Sequence, residues 1–215
     1  MRPVAVLGRR FGHPVAVAND ADMGARGEHA FGAARSLDDF LYIKASHGIG
    51  AGMVLAGRTY PGSTGISGEI GHTRLQDSTS LCRCGNRGCL ETVVSITEVR
   101  RQLAHVLTVS GTATDPDTLP PLDELAAARV ITDAGRTIGL VLADLVNCLN
   151  PAAIVLGGEL SAAGDPLATG VREFIDRYAQ LASAHAVTVM AGKLQQRAEL
   201  LGAVATVMRQ STTAG

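Results

Sequence analysis

The sequence predicts an α/β fold, and three observations carry that prediction. Short aliphatic runs of strand length alternate with longer stretches of helical periodicity. The chain is 46% hydrophobic but only 3% aromatic, so its core must be built by aliphatic packing around small residues. Glycine pairs and triplets follow the aliphatic runs, as in Gly48-Ile49-Gly50-Ala51-Gly52 and Gly157-Gly158, where sheets of this class meet their ligands.

The elements can be taken in order. The opening run through Val4, Val6 and Leu7 stops at Gly8-Arg9-Arg10, too short an apolar core for a signal peptide. Val15-Ala16-Val17-Ala18 predicts a short buried strand, closed by the helix-start signal Asn19-Asp20. Residues 21–33 then read as a small-residue helix. Phe40-Leu41-Tyr42-Ile43-Lys44-Ala45 is the next strand, and residues 53–60 form a hairpin arm turning near Gly57. Residues 61–90 carry glycine and cysteine without periodicity. A loop that long inside a compact domain needs something to tie it down.

Residues 91–107 read as helix and residues 110–121, rich in Thr, Asp and Pro, as loop. Residues 122–149 are helical in two pieces, with an apolar stripe of Ile131, Ala134, Ile138, Val141, Leu142, Leu145 and Leu149. Cys148 falls on that stripe as a small core residue. Pro151 opens a new unit. Ile154-Val155-Leu156 is a strand entering Gly157-Gly158, followed by a helix, a strand over residues 186–190 and a final helix from about Gln196.

The bulk numbers exclude some classes. A length of 215 residues suits one large domain or two small lobes. The formal net charge is -1 and no block of Lys or Arg stands out, so neither DNA nor an anionic membrane finds an electrostatic footprint on this chain. Few aromatics argue against a base-stacking platform. No run approaches the roughly 18 apolar residues of a membrane span.

The strongest chemical signal is Cys82-Arg83-Cys84-Gly85-Asn86-Arg87-Gly88-Cys89. Three thiols crowd into one short glycine-punctuated loop, and His72 lies ten residues upstream. Three sulfurs and one imidazole make a closed tetrahedral set, the donor chemistry of a structural zinc ion. Buried or redox-active thiols beside an unrelated histidine are the competing reading. The cysteine crowding fits a metal site in a reducing cytoplasm better than a disulfide framework.

Glu69 and Glu91 flank this loop and share its anchor. A carboxylate held rigidly in a glycine-rich pocket suits hydrogen bonding to sugar hydroxyls; alone, either one reads as a solvated acid. Asn19-Asp20 offers Asp20 as a general base toward a hydroxyl, with a helix N-cap as the reading that spacing favours. Gly48-x-Gly50-x-Gly52 fits either a phosphate-wrapping loop or a hairpin bend that needs small residues. Gly157-Gly158 sits where a nucleotide could touch a strand end.

Taken together, these pieces resemble the ROK family of bacterial sugar kinases and sugar-responsive repressors. The resemblance runs through Asn19-Asp20-Ala21, Gly48-Ile49-Gly50-Ala51-Gly52, Gly68-Glu69-Ile70-Gly71-His72, Cys82 through Glu91 and Asn150 through Gly158, in that order. It implies an actin-like ATPase fold of the hexokinase type, mainly its larger C-terminal lobe with a zinc-stapled loop. Residues 1–20 would be a remnant of the N-terminal lobe, residues 21–195 the sugar-binding lobe, and residues 196–215 a helix that packs on the N-terminal lobe. Asp20 matches the catalytic base, and Asn19, Asp20, Glu69, His72 and Glu91 match sugar contacts. His72, Cys82, Cys84 and Cys89 match the zinc ligands. Gly48 and Gly50 match the second phosphate loop, and Gly157 and Gly158 the adenosine side.

Two departures qualify the resemblance. The family kinases' D-x-G-x-T phosphate loop is not found ahead of Asn19. Its only formal match, Asp133-Ala134-Gly135-Arg136-Thr137, falls inside an amphipathic helix. Ser46-His47-Gly48 stands where the family usually has Gly-Thr-Gly, and an imidazole there crowds a phosphate site. The repressors' helix–turn–helix is also not found in these residues. The expectation is therefore a cytoplasmic, zinc-stabilised, sugar-binding domain of a ROK-type regulator, without kinase activity in this form. The alternatives are a fragment of an ATP-dependent kinase for a hexose or N-acetylhexosamine, with ATP and Mg2+ serving only the complete enzyme, and a zinc-stapled interaction module. The apolar final helix predicts a homodimer or higher oligomer.

Overall fold

A computed structural model describes residues 3–110 and 125–213. The expected loop over 110–121 lies almost wholly outside them. The elements are α1 (Pro3–Phe11), α2 (Asp20–Phe31), β1 (Phe40–Ala45), β2 (Ile49–Leu55), β3 (Arg58–Thr59), α3 (Glu91–Val94), α4 (Ile96–Ser110), α5 (Leu125–Leu149), β4 (Ala153–Gly157), α6 (Asp165–Tyr178), α7 (Leu181–Ala186), β5 (Thr188–Ala191) and α8 (Ala198–Thr213). One mixed sheet runs β3-β2-β1-β4-β5. β1 pairs antiparallel with β2 and parallel with β4, which pairs parallel with β5.

Period-two alternation along β1 divides the core between two helical layers. Leu41, Ile43 and Ala45 pack with Ile131, Ile138 and Leu142 of α5 and with α4 and α6. Phe40 and Tyr42 point the other way, into a smaller cluster with Ala25 of α2 and Ala198 of α8. Truncating a residue such as Ile138, which is fully buried, to Ala should cost about 2–5 kcal/mol. The second layer depends on close helix approach instead. A Cβ at Gly202 would overlap the Met23 carbonyl, and one at Gly27 would overlap the Ala198 carbonyl, so α2 and α8 meet backbone to backbone.

Four expectations are corrected. Residues 14–19 are irregular and mostly exposed, not a buried strand; among the described residues no neighbouring strand supplies a ladder for Val15–Ala18. Residues 91–107 break at Ser95 into α3 and α4. Residues 125–149 form one continuous helix, not two pieces. Cys148 is exposed: the stripe's 3.6-residue period turns Leu145 and Leu149 inward but carries residue 148 outward. The formal D-x-G-x-T lies within α5, where Asp133 pairs with Arg136. The final helix rests on α2 of its own chain through Ala198 and Gly202, while Val204 and Leu200 remain exposed.

Candidate functional site

The cysteine loop closes as a small knuckle. Cys82 N–H donates to the Asn86 carbonyl at 2.8 Å, and Gly85 N–H returns to the Cys82 carbonyl at 2.9 Å. Gly88 takes φ +78°, and a Cβ there would strike the Ser78 carbonyl; no other residue type fits that crossing. The buried Leu90 ties the knuckle to the core.

This folding brings His72, Cys82, Cys84 and Cys89 together, with one ligand atom from each lying within 4.8 Å of the others. Cys84 Sγ and Cys89 Sγ are 3.7 Å apart, and Cys82 Sγ is 3.6 Å from His72 Nδ1. The sulfurs are too far apart for a disulfide, whose S–S bond is about 2.05 Å. Tetrahedral zinc, with Zn–S of about 2.3 Å and Zn–N of about 2.0–2.1 Å, needs S···S edges of about 3.8 Å and S···N edges of about 3.6 Å. The donor set and both edges fit zinc.

The thiols alone are an uneasy neighbourhood. The Cys84 N–H at 3.5 Å favours a Cys82 thiolate. Burial and the adjacent Glu91, Cys84 and Cys89 outweigh it and push the Cys82 thiol up to about 12. A bound cation would reverse that balance by stabilising every thiolate at once.

Two carboxylates converge on the same imidazole. Glu69 Oε2 lies 3.8 Å from His72 Nε2, and Glu91 Oε1 lies 3.9 Å from His72 Nδ1. Glu91 opens α3 and is buried, with Cys82 Sγ at 3.2 Å and the Arg83 Nε at 3.3 Å. Glu69 is half exposed. Nδ1 thus lies beside Cys82 Sγ and Nε2 faces Glu69, at a separation longer than a direct hydrogen bond.

Of the two roles left open by spacing, the helix N-cap falls to Asn19. The Asn19 Oδ1 accepts from the Ala21 and Asp22 N–H groups at 2.8 and 3.4 Å, so Asn19 is the N-cap. Asp20 is thereby left for another task. Its Oδ2 accepts from Lys44 Nζ at 2.8 Å, and the same ammonium lies 3.1 Å from Glu199 of α8. Among the described residues, no hydrogen bond or ion pair links Asp20 directly to Glu69, His72 or Glu91. The turn into β2 spans the gap: a Cβ at Gly50 would meet Ala21 Cβ at 3.3 Å, and one at Gly48 would meet Glu91 Oε2 at 3.5 Å.

Gly50 and Gly52 lie within β2 against Ala21 and Ala25 of α2, so close helix packing already requires them to be small. Gly157 ends β4 in register with Lys44, and Gly158 follows at φ +80° against the Ala45 carbonyl.

Sequence reasoning missed Lys44, Glu159 and Glu28. Lys44 carried a signal, as the one charge inside a buried strand, placed by alternation on the α2 side. Glu28 is fully buried and accepts from the N–H groups of Ala33 (2.7 Å), Lys193 (3.1 Å) and Leu194 (2.8 Å). It staples α2 to the segment after β5, a contact no local pattern announces.

The fold and site define an α/β protein of the actin-like, hexokinase type. The ROK family model matches residues 4–210, and this chain belongs to the ROK family. It is 35% identical over 213 residues to a putative xylose repressor from Caldicellulosiruptor sp. (strain Rt8B.4), covering 93% of this chain and 53% of that protein. It is 36% identical over 181 residues to a glucokinase from Halalkalibacterium halodurans, covering 77% of this chain and 55% of that protein. A ROK glucokinase from Streptomyces griseus, solved with glucose and AMPPNP, matches with a TM-score of 0.81 at 29% identity, over 96% of this chain and 72% of that one. The chain spans about half the length of the curated relatives it matches.

Proposed function

We propose that this chain is the sugar-sensing lobe of a ROK transcriptional regulator, stapled by one structural zinc ion and without kinase activity in this form. The observation that carries the reading is His72, seated between Glu69 and Glu91 and belonging to the thiol cluster. When bound, zinc would clamp His72, Cys82, Cys84 and Cys89 and so fix the loop that carries both carboxylates. Glu69, Glu91 and Asp20 then accept hydrogen bonds from sugar hydroxyls, and Asn19 holds the start of α2 in place beside them. Three carboxylates repel anions, so uncharged hexoses or N-acetylhexosamines are the ligand class.

Two features favour the regulator. Asp20 is already ion-paired to Lys44, which suits an acceptor of hydrogen bonds more than a base that must take up a proton. Similarity to a xylose repressor adds weight. Residues 21–195 form the sugar-binding lobe in this reading. The protein acts in the cytoplasm as a homodimer or higher oligomer, with no direct DNA or membrane contact by these residues. Among the described residues, no helix is long and apolar enough to cross a membrane.

The glucokinase relative supports a second reading, a piece of an ATP-dependent sugar kinase. There Asp20 would take the sugar hydroxyl's proton during attack on the γ-phosphorus, with Gly48, Gly50, Gly157 and Gly158 beside the nucleotide and its Mg2+. Calorimetric titration with xylose, glucose and N-acetylglucosamine, alongside an ATP-phosphorylation assay of this chain, tests the sugar-binding reading and the absence of kinase activity. Saturable sugar binding without phosphorylation is expected. Phosphorylation abolished by Asp20→Asn would establish the kinase, and no binding of any of these sugars would refute the sensor.

A further inference from the structure

Arg26 lies half-buried in the middle of α2 and reaches two other elements. Its Nε donates to Thr59 Oγ1 of β3 at 3.1 Å, and its Nη1 donates to Thr206 Oγ1 of α8 at 3.0 Å. The Thr206 hydroxyl donates in turn to the Gly202 carbonyl at 2.8 Å. Both partners of the guanidinium are neutral, so they fix its direction without cancelling its charge. Asp22 stands one helical turn earlier, at the spacing where an ion pair closes along a helix. Its carboxylate feels the Arg26 charge. Even so, among the described residues no ion pair joins the two, and Asp22 Oδ1 has no hydrogen-bond partner. The Arg26 Nη2 donors have none either among the described residues.

Arg26 helps line a cavity of about 360 Å3 between α2, α8 and the turn from β2 into β3, a size that suits a small ligand. The lining is one-sided in charge. Arg26, His29 and Arg209 belong to it, and no aspartate or glutamate does. The chain as a whole carries a net charge of -1, so this excess of cationic donors is local. Phe31, Ala205 and Met208 supply apolar surface beside them. The His29 ring is steadied against Phe40, with ring centroids 5.6 Å apart. None of Asn19, Asp20, Glu69, His72 and Glu91 lines this cavity.

We propose that the cavity is a binding site for a small carboxylate with a compact apolar body, an aromatic or branched aliphatic acid whose charge is met by Arg26. A guanidinium already aligned by two hydroxyls forms strong charge-assisted hydrogen bonds to a carboxylate. The apolar wall takes the rest of the molecule out of water. Inorganic phosphate brings charge but nothing to cover that wall, and a neutral amide of the same shape brings the body without the charge. The inference goes beyond the sugar-sensing reading and does not depend on it, since the two sites share no residue.

The test is calorimetric titration of the 215-residue chain with benzoate, with benzamide as its neutral counterpart and inorganic phosphate as an anion lacking an apolar body. Wild type should bind benzoate saturably at millimolar concentration, and benzamide and phosphate with affinities lower by about tenfold or more. Arg26→Met should lose benzoate affinity by about tenfold or more. Ala205→Leu, which fills the cavity and keeps every charge, should lose it as well, so the proposal stays testable if Arg26→Met fails to fold. No saturable benzoate binding overturns the proposal. So does benzamide binding as tightly as benzoate, because the charge is then not read. Phosphate binding as tightly as benzoate overturns it too, because the apolar wall is then idle. Benzoate affinity left unchanged by Ala205→Leu or by a folded Arg26→Met places binding elsewhere and has the same consequence.

Discussion

Lys44 Nζ lies 2.8 Å from the Asp20 carboxylate at the start of α2 and 3.1 Å from the Glu199 carboxylate at the start of α8. One ammonium on the central strand thus ties together the first turns of two helices that pack against each other. Burial alone would lower the Lys44 pKa, but hydrogen bonds to Asp20 and Glu199 outweigh it and hold it raised.

Lys44→Met should leave two carboxylates facing each other without a cation. Asp20 is largely exposed, so solvent screening limits the loss to about 1 kcal/mol. The sign follows from a raised lysine pKa. The contribution is fully present below the unfolded value, 10.5, and is lost as pH rises through the folded one. Urea melts of both proteins at pH 7 and above pH 11 should show the stability gap narrowing at the higher pH. An unchanged gap would mean that Lys44 acts through packing and not charge.

Zinc analysis of purified protein should give about one ion per chain. Cys82→Ser should abolish stoichiometric zinc. Hydrogen exchange should then accelerate across residues 61–91 while β1 and β4 stay protected. Acid should release the metal, because protons compete for the thiolates. Zinc-free protein with all three loop thiols freely titratable would remove the metal staple from the account.

Asp22 is 6% exposed, and its Oδ1 has no hydrogen-bond partner. Its pKa is raised by burial, opposed by Arg26 and reinforced by Asp20. An acid with a raised folded pKa binds more protons folded than unfolded, so this residue's contribution to stability falls as pH rises from the ordinary aspartate value of 3.8 through the folded value. Asp22→Asn should therefore stabilise the protein at pH 7, by roughly 1 kcal/mol or a few degrees in Tm. The gain should disappear near pH 3. A loss of stability at pH 7 would mean that the charge serves the α2 N-terminus more than burial harms it.

Val204 and Leu200 leave an apolar strip on the outer side of α8, and Val4, Val6, Leu7 and Phe11 leave another on α1. Exposed apolar area of that kind favours association. Light scattering should show self-association that rises with concentration and weakens in Val204→Glu, with zinc content unchanged. A monomer at high concentration would count against the oligomer.

Much of the fold was readable because its signals are local. β1 appears as Phe40–Ala45, the very run with strand character, because six residues rich in aromatic and aliphatic side chains are strand length and short for a helix, and five of the six are buried. The knuckle was readable because three cysteines within eight residues can converge on one point with little chain in between. Val15–Ala18 misled for the opposite reason: an aliphatic run becomes a strand only where a neighbour offers hydrogen bonds, and neighbours are assigned by topology. Cys148 misled by a single step of helical phase.

What the sequence determined by itself was the α/β class, the places of α2, β1, β4 and the final helix, and the His72–Cys82–Cys84–Cys89 donor set, all carried by residues close together in the chain. Only the tertiary structure decided the long-range partners. Lys44 meets Asp20 across 24 positions and Ser46 meets Glu159 across 113. Such pairs exist because the crossover from β1 to β4 lays two distant strand ends side by side, and because strand alternation aims Lys44 at the α2 and α8 layer. Local periodicity says which face a residue takes; which partner waits on that face is settled by how the whole chain packs.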